Sequence, residues 1–525
     1  MQRTTRPLIN VLALVILLLF AAGAWARPTT PEQAKNAVLN WLGKEARPMG
    51  APLGGQIKEV QTFIDRAGSP AYYVVYLNPS GLVFLPADDL VEPLIGFVSE
   101  ATSYDPSATN PLGALVSRDL PGRVLKAREM ETQAEAAKTP LAPETPWAAA
   151  RQKWAWLAQA APAPGQEAFT GIYNLSDIWV APFVSTHWGQ GWPPPSITKG
   201  YNYYTPNHDP CGCVATAMAQ LMRYWKYPYP PSGPIVGTFY ITVEGSSQYA
   251  TIRGGDSAGG PYDWSNMPPG SGSTTTEQQA IGALTYDAGV SVDMNYTSGF
   301  SYTGTMHSAA NAFYNTFKYS NAICGDNYRA DLPAANRNAM VNPNLNAKYP
   351  VLFGILDSGG GGHAVVCDGY GYNALTMYHH INMGWEGDSD AWYNLPNIGS
   401  DNGAFTTINE CVYNVFINGS GVLIGGRVTD GGGKPVGGAM VTATAGGQTY
   451  SAVSPTASSG VYAIRVPANT TFTVSVAKAG FTCAPQSVTT DYNYYRGPDT
   501  GNVWGVDFVG QAKHGISSIY QLLLN

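Results

Sequence analysis

Asp209–Trp225 reads DPCGCVATAMAQLMRYW and sets two of the chain's six cysteines one residue apart, at the start of an apolar-periodic run. From Val214 the apolar residues fall at 214, 217, 218, 221, 222 and 225, the offsets of one face of a buried helix. Pro210 and Gly212 mark the turn before it, and Pro228 and Pro230 close it. The spacing predicts a helix with Cys213 in its first turn, where unpaired backbone N–H groups and the positive dipole end favour a thiolate. Cys211 falls in the preceding turn. The pair therefore reads as a metal grip, as half of a disulfide framework, or as a nucleophile beside a bystander. His208-x-x-Cys211-x-Cys213 offers metal-ligand types close together. Structural zinc needs a second ligand pair at comparable spacing, and Cys324, Cys367 and Cys411 stand alone, so no metal or cofactor is expected. A small buried cysteine opening a helix is the plainest reading, but it leaves the rest of the constellation unexplained.

A thiolate nucleophile needs a histidine to share its proton and a third group to orient that ring. The candidate lies in Gly359-Gly-Gly-Gly-His363-Ala-Val-Val-Cys367-Asp368-Gly369. The glycines allow close backbone approach, and His363 opens a strand on which 363, 365 and 367 share a face. Tyr378–Trp385 reads as the paired return strand, and its Asn382 is placed to fix the imidazole tautomer.

The bulk composition agrees with an ordered protein of several units. The chain has 525 residues with 59 Gly, 39 Pro and 32 Tyr but only 12% charged residues, which suggests rigid, loop-rich, β-containing structure. A net charge of -7 without a Lys/Arg cluster argues against a nucleic-acid partner. Residues 1–26 read as a signal peptide: Arg3 and Arg6, the apolar Val11–Phe20, then Ala24-Trp25-Ala26 as the cleavage site. The apolar run is short for a membrane span, so the mature chain is expected to be soluble and secreted, extracellular or periplasmic.

Residues 27–130 form a first unit. PEQAKNAVLNWLGKEA reads as an amphipathic helix, AYYVVYLN and GLVFLPADD as two strands about the Asn78-Pro79-Ser80-Gly81 turn, and EPLIGFVS as a third. Residues 131–170, rich in Ala, Pro and Gln, read as an exposed connector with a short helix around Trp147–Ala158. Residues 171–420 form a second unit dense in Tyr, Trp and Gly; 424–511 shows the short alternating strands of a small β-sandwich; 512–525 is a tail. The six cysteines are too few and too irregular for a disulfide scaffold, and their pairing stays open.

At GCVATAMAQLMRYWKYP, GGHAVVCDGY and INMGWEGDSDAWYNL the chain resembles streptopain-type secreted cysteine peptidases, a branch of the papain-like fold. THWGQGWPPP at Thr186–Pro195, YDW at Tyr262–Trp264 and ALTYDAGVSVDMNY at Ala283–Tyr296 agree, so the likeness spans about residues 178–417 in family order. It implies an α+β protein whose helix-rich lobe carries the cysteine and whose β-rich lobe carries the histidine. It implies Cys213 as nucleophile, His363 as general base and then acid, and Gln190 as oxyanion donor beside the Cys213 N–H. Asn382 is the implied orienter of the histidine and Trp385 the aromatic that shields that contact. Met383 stands where the family usually has tryptophan. The first unit resembles the family's pro-domain, which implies an intramolecular inhibitor released by cleavage within about Lys138–Thr170. The third resembles the carboxypeptidase regulatory-like β-sandwich, a type usually adhesive or spacing. The implied partners are protein or peptide substrates with a hydrophobic side chain two residues before the cut, acting on a monomer.

Other functions fit less well. Gly255-Asp-Ser257-Ala-Gly259 matches the G-x-S-x-G elbow, but the following GPYDWSNMPPGSGS cannot form the helix that motif requires. An exported adhesive protein would leave Cys213, His363, Asn382 and Gln190 unexplained. A Cys-His acyltransferase of transglutaminase type shares the thioester intermediate and stays open.

Overall fold

Apolar runs from distant parts of the chain combine into one sheet. The computed structural model describes residues 28–137, 145–160, 175–191, 200–327, 330–356, 361–396, 407–454, 459–492, 494 and 496–512. The signal-peptide reading, the core of the connector and the tail after 512 lie outside those residues. Among the described residues, twelve strands form one sheet in a mixed α+β protein. The order runs Gln56–Ile64, Pro70–Asn78, Leu82–Pro86, Gly96–Val98, Ala391–Tyr393, Thr376–Asn382, Gly362–Asn373, Val351–Leu356, Ile408–Phe416, Asn321–Asp326 and Arg496–Gly497; Asp177–Val180 pairs with Gly362–Asn373 at the side.

The strands Pro70–Asn78 and Leu82–Pro86 are aromatic and β-branched and buried on both faces because a helix covers each, while the edge strand Gln56–Ile64 stays largely exposed. Thr30 and Gln33 form a capping box that starts the helix Pro31–Lys44. Its Ala34, Val38 and Trp41 pack on Tyr73, Val75, Leu77, Val83 and Leu85. The alternate residues Tyr72, Val74, Tyr76 and Phe84 face Leu112, Leu115, Val116, Leu120 and Val124 of the helix Pro111–Ala137. That second helix is absent from the sequence reading, and it runs seven residues past the boundary drawn at 130. Gly113, Pro121 and Gly122 argue locally against it, yet Leu112, Val116, Leu120 and Val124 keep a spacing of four. Burial of that stripe outweighs the local penalty.

The first unit does not close on itself. Its strand Gly96–Val98 pairs with Ala391–Tyr393, through Phe97 with Trp392 and Gly96 with Tyr393. Tyr378 and Trp392, from the 171–420 stretch, share the core of Trp41 and Phe97. Buried polar links cross the same junction. Arg123 forks onto Asp119 at 2.8 and 2.7 Å and donates to the Asn394 carbonyl at 2.6 Å. Trp41 Nε1 donates to Asn373 at 2.9 Å, and Tyr393 Oη to Asp119 at 2.7 Å.

The C-terminal part forms two packed sheets. One has the path Val461–Val466, Val422–Asp430, Phe508–Ala512, Phe481–Thr482, and the other Gln448–Val453, Met440–Ala445, Thr471–Ala477, Gln486–Thr489. Ile424, Val441, Tyr462, Phe472 and Val474 fill the space between them. The helix Ala334–Asn346 is wedged between this unit and the large sheet. A Cβ on Gly425 would lie 3.0 Å from Pro343 of that helix, so only glycine allows this approach. The 255–259 segment is a glycine loop, its Asp256 carboxylate accepting the N–H of Ala258 and Gly260 at 2.8 Å.

Candidate active site

The cysteine helix spans Cys213–Trp225, and every residue from Cys213 to Met222 is buried. Fully burying a residue such as Leu221 or Met222 stabilises by roughly 1.5–3 kcal/mol, which makes the support rigid. Gly212 precedes it at φ 89° and offers no side-chain cap, so the first-turn N–H groups are left for another acceptor. The positive φ favours glycine there, and a Cβ would also crowd the end of the Met294 side chain at 2.7 Å. Cys213 is 5% exposed. Burial pushes its thiol up, while backbone N–H groups at Ala364, Val214 and Cys213 pull it back in part.

The two neighbouring sulfurs differ. Cys211 lies in the turn, fully buried, with its sulfur 3.3 Å from Thr216 Oγ1. Burial pushes that thiol up to about 12. All six cysteines are free thiols, which removes the disulfide reading of the pair. His208 Nδ1 lies 3.2 Å from the Asn202 carbonyl.

His363 is the second residue of the strand Gly362–Asn373 and is 3% exposed. The Ala364 backbone that meets the Cys213 thiol is the next residue, so helix and strand bring Cys213 and His363 to one place. The histidine is engaged elsewhere. Its Nε2–H donates to the Ala108 carbonyl of the N-terminal unit at 2.6 Å, and Phe300 stands edge-on at 5.4 Å. Asn110 caps the adjoining helix through Gly113 N–H at 2.9 Å, fixing the loop that carries Ala108.

The remaining sequence-predicted residues gather around this point. Gln190 is 5% exposed, its Nε2 has no hydrogen-bond partner among the described residues, and its backbone carbonyl accepts the Cys211 N–H at 2.9 Å. A buried amide donor left open on a residue that hydrogen-bonds the cysteine turn is costly unless a ligand accepts from it. Asn382 ends the strand Thr376–Asn382. Its Nδ2 donates to the Thr186 carbonyl at 2.7 Å, and its Oδ1 accepts from Gln220 and from Gly384 N–H, both at 3.0 Å. Those bonds set its amide orientation but do not reach His363. Trp385 is half-buried and lines a cavity of about 280 Å3 with Tyr104, Asp105, Asn110 and Leu112 of the N-terminal unit. Met383 is fully buried in the core shared with that unit, its N–H on Asp390 at 2.9 Å.

Three residues that support the site escaped the sequence reading. Gln220 is a polar residue on a fully buried helix, and it bridges Trp188 N–H at 3.2 Å to Asn382. That oddity in the apolar run was the available signal. Asp368 accepts the N–H of Phe183 and Val184 at 2.8 and 2.7 Å and meets His380 Nδ1 at 2.6 Å. Burial opposes a charged His380, but Asp368 outweighs it and raises the pKa. Ala108 carried no signal, since a backbone carbonyl has none.

Residues 188–393 match the model of the Peptidase C10 family. The thiol protease/hemagglutinin PrtT of Porphyromonas gingivalis is 31% identical over 241 residues, covering 43% of this chain and 26% of the relative. Streptopain of Streptococcus pyogenes is 31% identical over 222 residues, covering 40% of this chain and 53% of the relative. The chain thus spans between about a quarter and a half of the length of these curated relatives. Among solved structures, a fragment of Prevotella intermedia prointerpain A is 23% identical with a TM-score of 0.46, covering 69% of this chain and 99% of that one. Active interpain A is 28% identical with a TM-score of 0.36, covering 49% and 100%. Among the described residues no helix is long and apolar enough to cross a membrane, and no three His, Cys, Asp or Glu cluster as a metal site.

Proposed function

We propose that this chain is the zymogen of a secreted cysteine endopeptidase, with Cys213 as nucleophile and His363 as base and then acid. The observation that carries the reading is the Ala108 carbonyl on His363 Nε2, next to a buried thiol at a helix N-terminus. The Ala108 carbonyl takes the Nε2–H that an orienting amide would otherwise accept, so the N-terminal unit holds the ring, and burial keeps the thiol protonated. Residues 27–130 are the inhibitory unit, 131–170 the activation segment, 171–420 the catalytic unit and 424–511 the C-terminal sandwich, after a cleaved leader at 1–26.

Once the 100–112 loop withdraws, the burial penalty on Cys213 falls and the thiol proton passes to His363. The sulfur attacks the peptide carbonyl carbon, and the C=O electron pair moves to oxygen. That oxyanion is met by the Cys213 N–H and the open Gln190 amide, donors fixed before charge develops. His363 then gives its proton to the leaving amine, and an acyl-thioester remains. Water, giving a proton to His363, attacks the thioester and restores the thiol. Asn382, its amide set by Gln220 and Thr186, is the proposed orienter of His363, with Trp385 as its cover.

The test is casein hydrolysis after limited cleavage in the 131–170 segment, with and without E-64, beside Cys213→Ala and Cys211→Ser. Cleaved wild type and Cys211→Ser are expected to be active and E-64-sensitive, and Cys213→Ala inert. An inert cleaved wild type, or an active Cys213→Ala, overturns the reading.

A further inference from the structure

Gln190 ends a short segment, Thr186–Gln190, that is tied down at every residue. The Thr186 carbonyl accepts Asn382 Nδ2 at 2.7 Å, and His187 N–H donates to the Pro269 carbonyl at 2.8 Å. Trp188 N–H donates to Gln220 Oε1 at 3.2 Å, the Gly189 carbonyl accepts the Thr216 hydroxyl at 3.1 Å, and the Gln190 carbonyl accepts Cys211 N–H at 2.9 Å. Gln190 Nε2 has no hydrogen-bond partner among the described residues, so its aim depends on how firmly this backbone is held.

One further tie runs through a side chain that the site as described does not use. His187 Nδ1 lies 3.2 Å from Asp390 Oδ2, although the imidazole is 54% exposed and the carboxylate 11%. A carboxylate only accepts, so Nδ1 carries the proton in this contact. The other oxygen, Asp390 Oδ1, accepts Met383 N–H at 2.9 Å. A single carboxylate therefore joins Met383, next to Asn382, to the segment that carries Gln190. The loop between Met383 and Asp390 bears Trp385 and is folded to make this contact. Asp388 N–H donates to the Trp385 carbonyl at 3.2 Å and Asp390 N–H to the Gly387 carbonyl at 3.3 Å. The two backbones touch: a Cβ on Gly387 would lie 3.2 Å from His187 Nδ1, and one on Gly189 would lie 2.8 Å from Glu386 Cγ. The Asp390 hydrogen bond raises the imidazole pKa against the opposing effect of burial, with the charges of Asp390, Glu100 and Asp368 adding to it and His380 repelling. Solvent screens that charge, so the contact matters for the geometry it fixes.

We propose that His187 is a positioning residue, clamping the Gln190 segment through Asp390 to the loop that follows Asn382 and carries Trp385, a role that rests on the peptidase reading of Cys213 and Gln190. An oxyanion donor works only when it meets the developing charge at about 2.7–3.1 Å, so a loosened segment lowers turnover more than substrate binding. Steady-state kinetics are measured on the cleaved enzyme with a fluorogenic peptide taken from a casein sequence that it cuts. His187→Ala is expected to lower kcat about three- to tenfold with KM within about twofold. His187→Asn, whose amide N–H takes the place of Nδ1–H, is expected to recover most of that loss, and His187→Ala is expected to cost nothing further in an Asp390→Ala background. An unchanged kcat in His187→Ala, a loss that asparagine does not recover, or the same loss with and without Asp390 overturns the proposal. Should Asp390→Ala fail to fold, the His187 variants decide: recovery by asparagine supports the clamp, and its absence overturns it. Cleaved wild type without activity overturns the peptidase reading and this role with it, whereas an active wild type matched by His187→Ala overturns this role alone.

Discussion

The two flanking units join the same sheet at different strands, and they hold the central unit in different ways. The N-terminal unit pairs Gly96–Val98 with Ala391–Tyr393 and carries a loop whose Ala108 carbonyl sits on His363. The C-terminal unit adds Arg496–Gly497 alongside Asn321–Asp326 and grips the helix Ala334–Asn346 from behind. There Asn344, Asn414 and Asn502 form a buried amide network, Asn344 Nδ2 and Asn502 Nδ2 meeting Asn414 Oδ1 at 2.9 and 3.1 Å. Arg427 forks onto Asp177 at 2.6 and 2.9 Å, beside the strand that carries His363. Shared strand pairing thus makes a unit part of the fold; reach over the thiol makes it a candidate inhibitor. A tethered spacer, one of the two roles that the sequence resemblance implies for the C-terminal unit beside adhesion, would not need buried amides at its junction.

The largest expected effect comes from ending the chain at Asn418. That removes both hydrogen bonds between Asn502 and the buried Asn414 and uncovers the apolar back of Ala334–Asn346. Each unsatisfied buried group costs about 1–3 kcal/mol, and several together rival a total stability of about 5–15 kcal/mol. The truncated chain is expected to lose cooperative unfolding by calorimetry; a melting midpoint within a few degrees of the full chain would return the unit to the role of spacer. Next comes Arg123→Met at the opposite junction, which leaves Asp119 buried and uncompensated. A loss of about 3–5 kcal/mol in urea unfolding is expected.

Asn110→Ala is smaller, about 1 kcal/mol for a helix cap, but it loosens the loop that holds Ala108. Earlier onset of casein hydrolysis during limited proteolysis is expected, and an unchanged onset separates the cap from latency. The smallest effect is a pH slope. Burial raises Asp88 in the N-terminal unit from 3.8 to about 6. A carboxyl raised on folding contributes stability fully present below about pH 4 and lost as pH rises through about 6. Urea midpoints of wild type should fall relative to Asp88→Asn between pH 4 and 7, and parallel curves would remove Asp88 from the account.

Much of the site was legible because its chemistry needs side chains of particular type. Periodicity placed the cysteine helix one residue from its observed start at Cys213, and the β run of GHAVVCDGY appeared as the strand Gly362–Asn373. Gln220 was legible only as an anomaly, since a lone polar residue in an apolar stripe has many explanations. The helix Pro111–Ala137 was hidden by Gly113, Pro121 and Gly122, whose local cost is repaid only when Tyr72 and Phe84 lie beneath it. Domain boundaries suffered for the same reason: composition changes along the chain, whereas strand pairing between Phe97 and Trp392 crosses nearly three hundred residues.

What the sequence by itself determined is the local support of the candidate reactive groups: Cys213 at a helix start and His363 near a strand start, with Gln190 and Asn382 as candidate amides at stated positions. These follow from local geometry, because helix and strand periods are properties of short segments. Only the tertiary structure decided that Cys211 is fully buried beside Thr216, that the His363 imidazole is held by a backbone carbonyl from residue 108, and that the C-terminal unit packs on the helix Ala334–Asn346. Those outcomes depend on burial and on backbone hydrogen bonds between distant segments, and neither leaves a mark on residue type.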